Sequence, residues 1–160
     1  MIESASGERS SLCPCGSMKA YSQCCHLAHQ DQTQAHTPEQ LMRSRYSAYF
    51  MKHFDYIIKT QHPDFRLDLT IEQLSKEPQP QWLSLEVINS EHQNNKGTVT
   101  FKAWFKQNQK IDVIYERSHF ILENKLWYYT DGKQMQCTLP KRNASCICQS
   151  GKKFKHCCMP

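Results

Sequence analysis

Cys13-Pro-Cys-Gly-Ser-Met-Lys-Ala-Tyr-Ser-Gln-Cys-Cys25 and Cys146-Ile-Cys-Gln-Ser-Gly-Lys-Lys-Phe-Lys-His-Cys-Cys158 are the stretches whose reading decides how this chain is built. Laid together without gaps, six of their thirteen positions are identical, and Tyr21 faces Phe154 as a further match in type. Both have the form C-x-C-x8-C-C, with serine in the fifth place and lysine in the seventh. One motif repeated at opposite ends of a chain implies like modules flanking a separate body.

Each segment is too short to bury a core, so metal binding must supply most of its folding free energy. Four soft thiolates in a short loop suit a tetrahedral zinc site with Zn–S near about 2.3 Å. The expected ligands are Cys13, Cys15, Cys24 and Cys25 for one Zn2+ ion, and Cys146, Cys148, Cys157 and Cys158 for a second. Four protein ligands close the coordination shell and leave no position for water, which makes the sites structural rather than catalytic. Gly16 and Gly151 would help the backbone turn around the ion, although they occupy different places in the two copies. Lys19, Lys152, Lys153 and backbone N–H groups would temper the negative charge of a tetrathiolate centre. Tyr21 and Phe154 are expected to pack a small apolar face against the body.

The rival reading is a disulfide framework. It needs an oxidising compartment, and residues Met1 to Ser10 lack the apolar core of a secretory signal. The adjacent pairs Cys24–Cys25 and Cys157–Cys158 would also strain the peptide between them as bridges. Cys137 fits neither copy and reads as a small buried thiol.

The chain has 160 residues, room for one ordinary domain with small attachments. Hydrophobic residues at 39% and charged residues at 22% describe a globular chain and exclude a mostly disordered one. No stretch approaches the roughly 18 consecutive apolar residues of a membrane span, and the expected location is cytoplasmic. A formal charge of +5 invites a polyanion partner. Two tetrathiolate zinc centres would bring that to about +1, so the basic bias offsets the metal sites and argues against nucleic acid.

Between the motifs, helices come first and strands after. Thr37-Pro38-Glu39-Gln40 is a helix start, with Thr as N-cap, Pro in the first turn and Gln closing a capping box. Leu41, Met42, Tyr46, Tyr49, Phe50 and His53 then recur near helical spacing, which predicts a helix over 38–53. Residues 54–60 continue it or bend into a second helix, and 70–74 form a short capped one. Beyond Pro80 the period becomes two, predicting strands over 82–90, 98–106, 111–122 and 126–130 joined by short polar turns at 94–97, 107–109 and 123–125. This is an α+β layout, a curved antiparallel sheet around helices, with the cysteine segments hanging at its ends. The expected domains are 10–29, 36–136 and 143–160.

Both cysteine segments resemble the SEC-C motif, the zinc-binding tail module of the SecA protein translocation ATPase, whose pattern is close to C-P-C-G-S-G-K-K-Y/F-K-x-C-H/C. The second copy keeps Gly151-Lys-Lys-Phe-Lys155 but has Ile147 and Gln149 in place of Pro and Gly. The first keeps Cys13-Pro-Cys-Gly-Ser17 but has Met18, Ala20, Ser22 and Gln23 where Gly and basic residues are expected. The body resembles the YchJ family in Leu41-Met-Arg-Ser-Arg-Tyr-Ser-Ala-Tyr49, Trp82-Leu-Ser-Leu-Glu-Val87, Glu116-Arg-Ser-His-Phe120 and Trp127-Tyr-Tyr-Thr-Asp-Gly132. That resemblance implies a nuclear transport factor 2-like cone between the motifs. It implies no particular activity.

The resemblance to the translocase tail, which contacts an export chaperone, implies a non-enzymatic zinc protein that docks a protein partner. The expected contact residues are Lys152, Lys153, Lys155 and His156, because the first copy has lost most of that basic surface. A second reading places a small-ligand or catalytic pocket in the cone. Arg43, Arg45, Tyr46 and Tyr49 on the first helix and Glu116, Arg117, Ser118 and His119 on the long strand are its local candidates, with Asp131 at the rim. Tyr46, Arg117 and His119 are the residues expected to carry it. Glu116 with an arginine from the helix reads as an ion pair tying sheet to helix. No nucleophile stands beside a base, no glycine run could cradle a phosphate, and no open metal triad is visible in the sequence, so catalysis is not the leading reading. A third reading is a zinc-knuckle nucleic-acid binder.

Overall fold

The computed structural model describes residues 11–160, so the first residue of the expected 10–29 segment lies outside the described residues. Helix α1 (Cys25–Gln30) leaves the first cysteine segment, followed by α2 (Pro38–Met51), α3 (Phe54–Thr60) and α4 (Ile71–Leu74). Strands β1 (Gln81–Gln93), β2 (Lys96–Gln107), β3 (Lys110–Glu123) and β4 (Leu126–Gln134) form one antiparallel sheet in chain order. The expected α+β layout, helices on a curved sheet, is the architecture observed.

Thr37 caps α2 by accepting from the Gln40 N–H at 3.1 Å. The Gln40 side chain accepts from His36 N at 2.7 Å, one residue earlier than a capping box would have it. At the other end Lys52 turns left-handed with φ 61°, and the His53 N–H returns to Ala48 O at 2.8 Å. That stop separates α3 from α2 as a second helix. At Thr70 the capping box is complete, with reciprocal bonds of 3.2 and 3.1 Å to Gln73.

The first three strands run longer than hydrophobic alternation predicts because the hairpins close in two residues, and β4 is longer because Gly132, Lys133 and Gln134 go on pairing with β3. Asn108-Gln109 and Asn124-Lys125 all have positive φ, the backbone of primed turns whose twist matches the sheet, so pairing extends to the turn itself. Gly97 is part of β2 rather than of a turn. A Cβ there would overlap Pro38, so its place is set by the close approach of α2.

Leu85, Val99, Ala103, Phe120 and Trp127 on the concave face pack with Leu41, Met42, Tyr46, Ala48 and Ile57 of the helices. The end of α3 is pinned to β4 by His62 N donating to Tyr129 O at 2.8 Å and Gln61 Nε2 to Thr130 O at 3.0 Å. The cysteine segments do not hang free. Cys13, Cys15 and Cys25 belong to the same buried cluster as Leu41 and Phe120, whereas Cys146 and Phe154 pack on Trp104 and Ile111, across the sheet. No helix is long and apolar enough to cross a membrane, among the described residues.

Candidate metal centres and an inner cavity

The two cysteine segments fold alike. Cys13 N donates to Lys19 O and Cys146 N to Lys152 O, each at 2.8 Å, closing equivalent loops. A short helical turn follows in both, Tyr21–Gln23 and Phe154–His156, and delivers the second pair of cysteines. Ser17 and Ser150, the shared serines, lie 3.1 Å from Cys24 Sγ and 3.3 Å from Cys157 Sγ. The uneven glycines have a simple explanation. The fourth place is left-handed in both copies (Gly16 φ 76°, Gln149 φ 61°), and so is the sixth (Met18 φ 63°, Gly151 φ 79°). Each copy supplies glycine at one and forces a side chain into the other.

The sulfurs of each quartet lie within 4.8 Å of one another. Adjacent separations are 3.6 and 4.0 Å in the first (Cys15–Cys24, Cys24–Cys25) and 3.4 to 3.9 Å in the second (Cys148–Cys157, Cys157–Cys158). A tetrahedron with arms of about 2.3 Å has edges of about 3.8 Å, so both quartets can hold a tetrahedral metal ion. All nine cysteines are free thiols, and the vicinal pairs are not bridged. Hydrogen bonds from Cys15 and Cys25 pull the Cys13 thiol far below the ordinary range, whereas bonds to Cys13 and Cys15 push Cys25 far above it. Thiols of the first quartet are thus pushed in opposite directions by their neighbours. A divalent cation would replace the shared protons and bind all four sulfurs as thiolates. In the second quartet burial pushes Cys148 up, but Ser150 and Cys157 outweigh it and bring the thiol down to about 6.

Surroundings separate the copies. In the first, Ser47 Oγ of α2 lies 3.5 Å from Cys13 Sγ and Arg43 donates to Cys15 O at 2.7 Å. Tyr21 packs against the core cluster as expected and also hydrogen-bonds His29 Nδ1 at 2.7 Å, while His29 Nε2 meets Ser44 O at 2.7 Å. In the second, Phe154 is buried, Ser84 Oγ donates to Ile147 O, and Cys157 is exposed. Lys152, Lys153 and His156 are exposed and Lys155 is half-exposed. Cys137 is half-buried against this cluster rather than fully buried.

The three residues expected to form a pocket do not meet. Tyr46 is buried on the concave side, where burial holds its phenol protonated. Arg117 and His119 share a face of β3, but it is the outer one: Arg117 pairs with Glu91 at 3.3 Å and His119 with Asp131 at 2.6 Å, both exposed. Residues Glu116, Ser118 and Phe120 turn inward instead, the alternation being one step out of phase with that expectation. Glu116 forms no ion pair with a helix arginine. It accepts from Ser118 Oγ at 2.6 Å, Tyr129 Oη at 2.9 Å and Gln134 Nε2. Arg45 donates to Ile57 O, Thr60 Oγ1 and Gln61 Oε1 at 2.8, 2.6 and 3.2 Å, with its guanidinium 4.7 Å above the Tyr129 ring. Both charges line a cavity of about 630 Å³ between helices and sheet. Tyr129 and Gln134 were not among the sequence candidates; Gln134 is the register partner of Glu116, while Tyr129 sits opposite Phe120 and reaches the carboxylate with its hydroxyl, and neither is visible before the sheet is built.

Comparison with known proteins agrees with this anatomy. The model for the YchJ middle NTF2-like domain matches residues 37–132, and the SEC-C motif matches 9–27 and 142–160. A UPF0225 protein of Shewanella sp. (strain MR-7) is 54% identical over 156 residues, covering 92% of this chain and 95% of that one. One from Vibrio parahaemolyticus is 40% identical over 164 residues, with 92% and 98% covered. The solution structure of a SEC-C motif protein from Rhodopseudomonas palustris superimposes with TM-score 0.70 at 35% identity, covering 79% of this chain and 100% of that one. The crystal structure of a SEC-C motif protein from Psychrobacter arcticus gives TM-score 0.65 at 32% identity, with 92% and 95% covered. The chain belongs to the YchJ (UPF0225) family, with an NTF2-like middle domain between two SEC-C motifs.

Proposed function

We propose that the chain is a non-enzymatic zinc-stapled adaptor of the reducing cytoplasm, whose C-terminal motif docks an acidic segment of a partner protein. The carrying observation is how that motif is mounted. Phe154 is buried against the body while Lys152, Lys153 and His156 face solvent and Lys155 is half-exposed, so the basic surface is held rigidly outward. In the first motif the equivalent places are Lys19, Ala20, Ser22 and Gln23, with one cation among them. Zinc is the ion assigned to both quartets, because four thiolates at tetrahedral spacing favour a borderline-soft divalent cation with no geometric demand of its own.

Two measurements test this. Native mass spectrometry of the purified protein should show two bound ions of zinc mass; iron would overturn the metal assignment. Affinity capture by the wild type, compared with the variant carrying Lys152→Ala, Lys153→Ala, Lys155→Ala and His156→Ala, should lose a protein partner. An unchanged set of captured proteins would end the docking proposal. Captured RNA or DNA, with binding that weakens steeply with salt, would favour the nucleic-acid reading in its place.

A further inference from the structure

We propose that the cavity between the helices and the concave face binds a small organic ammonium ion, a primary amine on an aromatic or alkyl body, with Glu116 as its counter-ion. At about 630 Å³ the cavity has the size of a small-molecule site. Tyr49, Trp82, Phe101, Phe105 and Tyr129 line it, and ring faces attract cations. Glu116 lies directly opposite Phe101 across β2 and β3, placing a carboxylate among those rings.

The carboxylate is built in rather than stray. It is 9% exposed, and a Cβ at Gly132 would overlap it, so β4 leaves room for it by having no side chain there. Its three partners, Ser118, Tyr129 and Gln134, are all neutral donors. Burial and the nearby Glu116 charge keep the Tyr129 phenol protonated above its usual range, so it stays a donor. Glu116 acts electrostatically on the buried Arg45 but is in none of the described ion pairs. A buried carboxylate has about four acceptor sites and favours a counter-charge. An ammonium group supplies both the fourth hydrogen bond and the charge. Three cations also line the cavity, but Arg45 spends its bonds on α3 and Gln61 and meets Tyr129 with its guanidinium face, Arg66 donates to Gln61 O and Lys59 O, and Lys76 is exposed, so none offers a free buried fork to an anion.

The test uses the full-length metal-loaded protein, titrated calorimetrically at neutral pH with phenethylammonium chloride, 2-phenylethanol and 3-phenylpropionate. The amine is expected to bind saturably with a Kd below about 1 mM. The alcohol and the carboxylate should each bind at least about tenfold more weakly, because they lack the charge or carry the wrong one. Glu116→Gln should weaken the amine at least about tenfold and leave the alcohol unchanged. Equal binding of amine and alcohol, tighter binding of the carboxylate, or no saturable binding of the amine by about 10 mM would each overturn the proposal. The comparison of amine with alcohol needs only the wild type, so it decides the matter even if the variant does not fold. None of these outcomes depends on the docking surface of the C-terminal motif.

Discussion

The N-terminal and C-terminal motifs are near copies in backbone and opposites in setting. Both close the same loop, use the same left-handed places and bring a serine hydroxyl to the third sulfur. Yet Cys13, Cys15 and Cys25 are buried in the main core, while of the second quartet only Cys146 is buried, in the separate Trp104–Ile111 cluster, and Cys157 is exposed. A cysteine loop of this kind carries its own conformation, whereas its energetic role depends on what the body places around it. The first motif is part of the core. The second is a plug on the outer face, and its basic residues are left for solvent.

Removing one cysteine from each quartet should separate the two motifs most strongly. Cys15→Ser should cost the first ion and collapse the body, a loss of at least about 5 kcal/mol, because the site is part of the core it would leave unfilled. Cys157→Ser should cost one ion and only about 2–3 kcal/mol, with the sheet still folding cooperatively. Urea unfolding followed by circular dichroism, with native mass spectrometry for the ions, measures both; equal losses would erase the distinction. A chelator should likewise empty the exposed C-terminal site before the buried one.

Next in size is the plug contact. Phe154→Ala should cost about 3 kcal/mol by deleting the ring that fills the Trp104–Ile111 face. Both ions should remain bound, and proteolysis within residues 138–145 should speed up as the motif undocks. Metal loss in this variant would mean that the docked ring, not the sulfur quartet, holds the C-terminal loop together.

A smaller effect distinguishes the first motif by pH. Burial lowers the pKa of His29, with the neighbouring His53 and His26 acting the same way against Ser44 O and Cys13. Folding therefore favours its neutral form. The associated stability is complete above the ordinary histidine value of about 6.5 and is lost as pH falls from there toward the folded value. Between pH 7.5 and 6 the wild type should lose more stability than His29→Gln; parallel curves would show that Tyr21–His29–Ser44 is not a pH-dependent tie. The smallest change should come from Met18→Gly and Gln149→Gly, each relieving a left-handed side chain and stabilising its motif by about 0.5–1 kcal/mol. Destabilisation by either would mean that the side chain there contributes more than its backbone conformation costs.

Legibility in the sequence follows the range of the interaction. Thr37 and Thr70 as caps and the polar hairpin turns depend on neighbours within a few residues, and they were readable. The loop of each motif was readable for the same reason, although the shared left-handed places were not, since neither copy has glycine at both. The orientation of Arg117 and His119 was only half readable. Alternation says that they share a face, but which face is inner depends on where β3 sits against β2 and β4. The inner carboxylate needs Gln134 in register with Glu116 and the hydroxyl of Tyr129, which pairs with Phe120, within reach of it, and nothing in chain order brings them together.

By itself, then, the chain determined the local pieces: two sulfur loops, capped helices and four hairpin-linked strands, each set by spacing and by residues close in sequence. Tertiary structure alone decided that one loop is core and the other a plug, and that a carboxylate rather than a histidine faces the cavity. Those outcomes rest on which surfaces remain free to be covered once the sheet curves around α2, and burial of that kind is a property of the whole packing.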